Sequence, residues 1–394
     1  MFKFNRMKHF IARLGNAALV LSMAFFVFPL VSNADVTARP GGSTPAVLER
    51  ISGADRMETA VQISNELYPD DHTKKYAVLV SGESHADALA AGPLATLKSA
   101  PLLLSNKSAL PESTMMELDR ILKTDITATA VEADGNVDPI FAATVIIVGG
   151  ESAVSAQVEQ EIKDIREDID TMRIQGADRY DTALEVALYM DQIRGYSSKW
   201  AFLANGEAYA DAMAASAIAS DKTICPDLMP ILLTRTDSIP DSTAQYLGEI
   251  ALTSGSTPTP PKLEKVYVLG GEARVSTEVF NYVDQIVDET IRVAGPNRYG
   301  TAANLAETFW GAGNPASKIG VARGDDFADA LAAGPFMGNM HGPMLLVEPA
   351  ELPDETYAYL LGHKDDIYGG WVLGGVEAVS NAVKGSVESV YMDL

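Results

Sequence analysis

The sequence predicts an α/β fold in which one parallel-sheet unit is built three times in tandem. Three observations lead there. First, one stretch recurs: Arg-Ile-Ser-Gly-Ala-Asp-Arg-Met-Glu-Thr-Ala at 50–60, Arg-Ile-Gln-Gly-Ala-Asp-Arg-Tyr-Asp-Thr-Ala at 173–183, and Arg-Val-Ala-Gly-Pro-Asn-Arg-Tyr-Gly-Thr-Ala at 292–302. Its second arginine, at Arg56, Arg179 and Arg298, sets a period of 123 and then 119 residues. That is the size of a small domain, not of a solenoid repeat. Second, β-prone apolar runs alternate with helical periodicity within each period. Such alternation calls for right-handed crossovers and a parallel sheet with helices on both faces. Third, the Gly- and Asp-bearing turns all follow strands, so they gather at the carboxyl edge of each sheet, where open α/β sheets bind ligands.

The first unit spans 50–171. Residues 59–68 have helical periodicity. The run Tyr-Ala-Val-Leu-Val at 76–80 reads as a buried parallel strand. A turn with His85 and Asp87 follows, then an Ala/Leu-rich helix over 88–98. Leu102, Leu103 and Leu104 form the next strand, with Pro101 at its start, where no ladder donor is lost. Pro111 opens another helix with Glu112 in its first turn. The run 144–148 is a third strand ending in Gly149-Gly150, and Ser155 is placed to cap the helix after it. The second unit (172–290) and the third (291–394) replay this order. Their turn aspartates are Asp211 and Asp329, their post-proline strands Ile231-Leu232-Leu233 and Met344-Leu345-Leu346, and their strand ends Gly270-Gly271 and Gly374-Gly375, with Ser276 and Ser380 as caps. The second unit is longer between Asp211 and Pro230, in a segment that holds Cys225. The stretches 124–144 and 251–262 are polar and rich in turn formers, as surface insertions are.

Residues 1–34 carry Lys3, Arg6, Lys8 and Arg13, an apolar run over 17–31 broken by Pro29, and Ser32-Asn33-Ala34. This is the layout of a secretory signal peptide cleaved after Ala34, and the run is short for a membrane span. Residues 35–49 read as a flexible leader rich in Pro and Gly. Without residues 1–34 the chain has 26 Lys+Arg against 53 Asp+Glu, a net of −27. Such a surface disfavours nucleic acid and anionic lipid as partners, so neither nucleic acid nor, after signal cleavage, a membrane is expected. A single cysteine permits no internal disulfide, so stability must come from burial. An exported, acidic, disulfide-free chain suggests the outside of a Gram-positive cell.

Taken together, Gly-Ala-Asp-Arg-x-x-Thr-Ala, x-Ala-Asp-Ala, Pro-x-Leu-Leu and Val-x-Gly-Gly, in the same order three times, resemble the type 2 cell-wall-binding repeat (CWB2) of Gram-positive surface proteins. The resemblance covers 50 to about 390. It implies a Toprim-like fold for each unit, three units packed as a pseudo-threefold trimer, and non-covalent attachment to an anionic, teichoic-acid-like wall polysaccharide. It links the three-residue strand motif to polymer binding, which here falls on Leu102, Leu103, Leu104, Ile231, Leu232, Leu233, Met344, Leu345 and Leu346. It also admits association with a wall amidase, a structural surface-layer role, and other surface-layer proteins as partners. Such proteins usually add an effector domain; none is expected in this sequence. The third unit departs from the pattern at Pro296-Asn297 and at Val376.

Triplication offers an internal test: a residue serving a shared function can recur in all three units. Arg56, Arg179 and Arg298 recur. An arginine fork suits phosphate or carboxylate groups of a polymer, and equally a carboxylate of its own unit such as Asp87, Asp211 or Asp329. Those aspartates precede Ala-rich helices and read as caps, with acid catalysis the alternative. The Gly-Gly pairs read as tight turns, or as places where backbone N–H groups meet an anion. By periodicity alone the three-residue strands are core. Lys107 and Arg235 lie at strand ends, while the third unit offers Arg323, so unequal affinities are expected. Enzyme readings find little purchase. His85 is replaced by Tyr209 and Phe327 in the other units, which points to packing rather than proton transfer. No zinc-ligand spacing, nucleophile elbow or phosphate loop is present, and no metal or cofactor is implied. The acidic mean charge leaves two routes to an anionic polymer, a local basic groove or bridging divalent cations.

Overall fold

The computed structural model describes residues 47–124, 143–248 and 263–391, apart from Ala86 and Ala312, together with a short strand pair between 125 and 142. The expected signal peptide, residues 35–46 of the leader and most of the two insertions lie outside the described residues. The first stretch of chain gives β1 (Val47–Ile51), α1 (Arg56–Leu67), β2 (Tyr76–Ser81), a 3-10 turn (Ala88–Ala90), α2 (Ala91–Lys98), β3 (Leu102–Ser105), α3 (Glu112–Ile121), β4 (Ala130–Val131), β5 (Val137–Asp138), β6 (Ala143–Val148) and α4 (Ala156–Lys163). The second gives β7 (Ile169–Ile174), α5 (Arg179–Arg194), β8 (Trp200–Asn205), α6 (Tyr209–Ala219), β9 (Ile231–Thr234), α7 (Asp241–Leu247), β10 (Lys265–Leu269) and α8 (Thr277–Ile286). The third gives β11 (Glu289–Val293), α9 (Arg298–Trp310), β12 (Lys318–Arg323), α10 (Ala328–Asn339), β13 (Met344–Val347), α11 (Asp354–Gly362), β14 (Gly369–Leu373) and α12 (Asn381–Val390). Among the described residues no helix is long and apolar enough to cross a membrane.

Three four-stranded parallel sheets result, ordered β3-β2-β6-β7, β9-β8-β10-β11 and β13-β12-β14-β1. In each, the first two strands run outward and the third returns to the other side of the first. The order therefore reverses between β2 and β6, β8 and β10, and β12 and β14, where a crevice opens beyond the carboxyl ends. The fourth strand of each sheet is the one that leads into the next recurrent stretch. Thus β7 completes the first sheet and β11 the second, while β1 returns from the start of the chain to complete the third, pairing Val47–Ile51 with Gly369–Leu373. Val47, Leu48 and Glu49, expected in a flexible leader, are strand instead. The reason is burial: Leu48 packs into the third unit's core, and its N–H donates to Glu388 Oε1 at 2.9 Å.

The expected caps form. Ser155, Ser276 and Ser380 accept from the N–H groups of Val158, Val279 and Val383. Pro111, Pro240 and Pro353 stand one residue before their helices, where an absent N–H costs nothing. One face of every sheet packs into a central core shared by all three units, and the other face forms a satellite core of its own. At the centre α2, α6 and α10 pack against one another. Their alanine-rich composition lets the backbones approach closely. Gly92, Ser216 and Gly334 hold the equivalent position, and a Cβ on either glycine would lie 2.2 Å from Ser216 Oγ.

Candidate functional site

The recurrent stretch is a helix-capping device. Asp55 and Asp178 each accept two N–H groups from the first turn of α1 and α5, and Asn297 accepts from Gly300 at the start of α9. The departure to Asn keeps the acceptor oxygen that a cap needs. Thr59, Thr182 and Thr301 accept the N–H of Gly53, Gly176 and Gly295. Glu58 and Asp181 reach back to the N–H of Ala54 and Ala177. Pro296 has no N–H to satisfy, so Gly300 can stand where the other units need an acid.

The motif arginines are half-buried and donate to a glycine carbonyl at the end of the following sheet's first strand. Arg56 Nη1 reaches Gly82 O at 2.9 Å, and Arg179 and Arg298 reach Gly206 O and Gly324 O at 2.5 Å. Their expected pairing with Asp87, Asp211 or Asp329 of the same unit does not form. The motif precedes its own sheet and completes the one before, so its charged neighbours belong to other units. Arg298 acts on Asp211 and Arg56 on Asp329, while Arg56 Nη2 is paired with Asp326 at 3.1 Å. A second set went unnoticed in the sequence although it recurs in the same stretch. Arg50, Arg173 and Arg292 donate to the carbonyls of Gly374, Gly149 and Gly270 and clamp the Gly-Gly turns.

The turn aspartates do not cap. α6 and α10 begin before Asp211 and Asp329, with Ala208 and Phe327 at the cap positions, and Asp87 makes no capping hydrogen bond. Instead they turn toward the Gly-Gly ends of the neighbouring strand. Gly149, Gly270 and Gly374 have φ of +118°, +89° and +113°, and a Cβ there would lie 3.0, 2.5 and 2.6 Å from Asp87, Asp211 and Asp329 Oδ2. Glycine is thus required twice over, by backbone conformation and by space. Burial pushes the Asp211 carboxyl above the ordinary carboxylate range, against the pull of Arg274, Thr301 and Arg298. Asp329 is raised for the same reason, against contact with Thr59.

These groups line clefts at the reversal points. The one between the second and third units, about 460 Å³, is walled by Glu207, Asp211, Arg274 and Arg298 and by the 295–297 turn. The one between the third and first, about 540 Å³, is walled by Arg50, Arg56, Arg323, Asp326, Asp329 and the 53–55 turn. Between the clefts, His85, Tyr209 and Phe327 meet as a three-ring cluster with centroids 5.1, 5.4 and 5.9 Å apart. The rings pack, as the replacement pattern predicts. Burial and nearby Arg179 lower the His85 pKa.

The strand triplets are buried. Leu102, Leu103, Leu104, Ile231, Leu232, Leu233, Met344, Leu345 and Leu346 are all at most 5% exposed. They lie in edge strands whose two faces are both covered, so they can act on a ligand only by holding the strand ends. Each triplet's last carbonyl is capped by a buried threonine, Thr114, Thr243 or Thr356. Of the strand-end cations, Lys107 is exposed. Arg235 lies over the Tyr180 ring in a separate crevice beside Asp178. Arg323 faces the third–first cleft but is tied to Asp325 by two contacts of 2.7 and 2.9 Å. Arg274 was missed because Ala153 and Ala378 hold its position in the other units, and recurrence was the criterion.

The family model for cell wall binding domain 2 (CWB2) matches this chain three times, at 50–159, 173–280 and 292–384. N-acetylmuramoyl-L-alanine amidase LytC of Bacillus subtilis (strain 168) is 30% identical over 87% of the chain and 58% of its own length. Among solved structures, Cwp6 from Clostridium difficile superposes with a TM-score of 0.73 at 28% identity, over 91% of this chain and 50% of that one. Cwp8 from the same organism gives 0.71 at 26% identity, over 88% and 52%. The chain therefore spans between half and three-fifths of these relatives' lengths.

Proposed function

Because the chain belongs to the CWB2 family, we propose that it attaches non-covalently to an anionic, teichoic-acid-like polysaccharide of the wall through the clefts between its three units. The observation that carries this reading is the threefold plan itself. A half-buried arginine, a strand-end aspartate and a Gly-Gly turn meet at the carboxyl edge of each sheet. Burial raises the pKa of two of the three aspartates, Asp211 and Asp329. The units are joined into one frame, since β1, just ahead of the first unit, completes the third sheet. Three weak contacts on one frame raise avidity by ~10²–10⁴ over a single one. The basic and apolar residues 1–34 support export to the cell surface.

The reading is one of binding without catalysis. The recurrent aspartates lie against the Gly-Gly turns, and the His85 position becomes Tyr209 and Phe327. Likeness to an amidase supports a second reading, a factor working beside a wall hydrolase. Zymography on peptidoglycan separates the two, because a clear lysis zone from this chain alone contradicts binding as its whole role. The polymer reading is tested by co-sedimentation with purified walls before and after extraction of the anionic polymer. Loss of binding on extraction is expected, and equal binding to both preparations would sink it.

A further inference from the structure

The second–third and third–first clefts share a plan but not a charge. Two arginines and two carboxylates line the former. Three arginines and four carboxylates line the latter. Four substitutions act in one direction. Asn297 stands where the other units have Asp55 and Asp178, and Gly300 where they have Glu58 and Asp181. Ala208 stands where the third unit has Asp326, and Arg274 where the others have Ala153 and Ala378. That last equivalence is structural. Ala153, Arg274 and Ala378 Cβ all lie 3.0–3.3 Å from the Cβ site of the first glycine of their turn.

Pairing widens the difference. In the third–first cleft Arg56 is bound to Asp326 and Arg323 to Asp325. Among the described residues neither Arg274 nor Arg298 forms a salt bridge. Arg274 is exposed, Arg298 is half-buried, and both line the same cleft. Asp211, the acid at its floor, is 7% exposed and in contact with the Thr301 hydroxyl.

We infer that the second–third cleft is the anion-selecting subsite of this chain, holding one oxyanion of the polymer between Arg274 and Arg298. The inference rests on the polymer-binding reading and goes further, because it makes a residue unique to one unit decide the ligand's chemistry. A guanidinium fork fits either a phosphodiester or a uronate carboxylate, both of which spread one charge over two oxygens. The third–first cleft, whose Arg56 and Arg323 are already paired, is left to meet neutral parts of the sugar chain. Two arginines outside any salt bridge in the less acidic cleft give an acidic ligand a site without a bridging cation.

Calorimetry on the whole chain tests this with two small probes, a glycerophosphodiester and a uronate disaccharide, beside purified wall polymer. The variants are Arg274→Ala and Lys222→Ala, the second at an exposed lysine beyond the carboxyl end of α6 and outside both clefts. The first keeps the fold, since alanine already occupies that position in the other units. One probe is expected to bind at one site per chain, and its identity names the source of the anion. Arg274→Ala should weaken that probe and the polymer about tenfold or more, the effect of a charge-assisted contact, and Lys222→Ala should leave both unchanged. Equal probe affinity in wild type and Arg274→Ala, or no binding of either probe, overturns the inference. Polymer binding that survives such a result leaves the broader reading standing. Probe binding that depends on Arg274 without polymer binding does the reverse.

Discussion

Gly334 lies in the middle of α10, where helix propensity alone favours alanine by about 1 kcal/mol. The packing of the three central helices predicts the opposite. A Cβ at Gly334 would sit 2.2 Å from Ser216 Oγ and 2.6 Å from Ser216 Cβ. Carbon–carbon contacts settle near 3.5–4.0 Å, so α6 and α10 must separate by about 1 Å. Overpacking of this kind costs about 1–3 kcal/mol, and after the propensity gain a net loss of up to about 2 kcal/mol is expected. Gly92→Ala differs in kind. Its Cβ would also lie 2.2 Å from Ser216 Oγ, but the next atom is at 3.5 Å. Removing the hydroxyl with Ser216→Ala should therefore rescue Gly92→Ala and leave Gly334→Ala destabilised, because the Ser216 Cβ remains. Urea unfolding followed by fluorescence of the buried Trp310 and Trp371 reads both. A Gly334→Ala chain more stable than wild type by about 1 kcal/mol would refute the close approach at the axis.

Leu48→Ala should cost about 2–5 kcal/mol, the range for a buried leucine, where a residue in a flexible leader would cost almost nothing; thermal unfolding decides. Gly300→Glu alone should destabilise, because its Cβ would meet Pro296 Cδ at 2.7 Å. Combined with Pro296→Ala it should recover, since the new N–H at 296 then has the acid that Glu58 supplies to Ala54; a double-mutant cycle in urea gives the coupling. His341 Nδ1 lies 3.1 Å from Oδ1 of fully buried Asp221, and that hydrogen bond raises the His341 pKa above its ordinary 6.5. Its contribution to stability is therefore fully present below about pH 6.5 and fades as pH rises through the folded-state value. The unfolding midpoint of His341→Gln should lose that part of the pH dependence, and an unchanged slope would contradict it.

Much of the fold was legible because each unit repeats the same local signals. Apolar runs, the prolines ahead of helices and the capping serines act within a few residues of chain, so periodicity reveals them. The exchange of strands was not legible. The run at 47–51 or 169–174 reads the same whether it pairs with the sheet before it or the one after it. From that one ambiguity came the expectation that Arg56 pairs within its own unit, when its partner Asp326 lies 270 residues away. Asp211 looked like a cap because it precedes an alanine-rich run. The helix starts at Tyr209, and that shift turns the carboxyl toward Gly270. Recurrence picks out the groups shared by the proposed site and passes over Arg274, which differs from its counterparts. The recurrent stretch proves to be the joint between units as well as the start of each.

Hydrogen exchange on the whole chain, with and without purified wall polymer, tests the central claim most directly. The account predicts slowed exchange at the 53–56, 176–179 and 295–298 turns and at the Gly-Gly strand ends, most strongly around 270–274 and 295–298. Protection confined to the outer helices α3, α7 and α11, or none at saturating polymer, would contradict it.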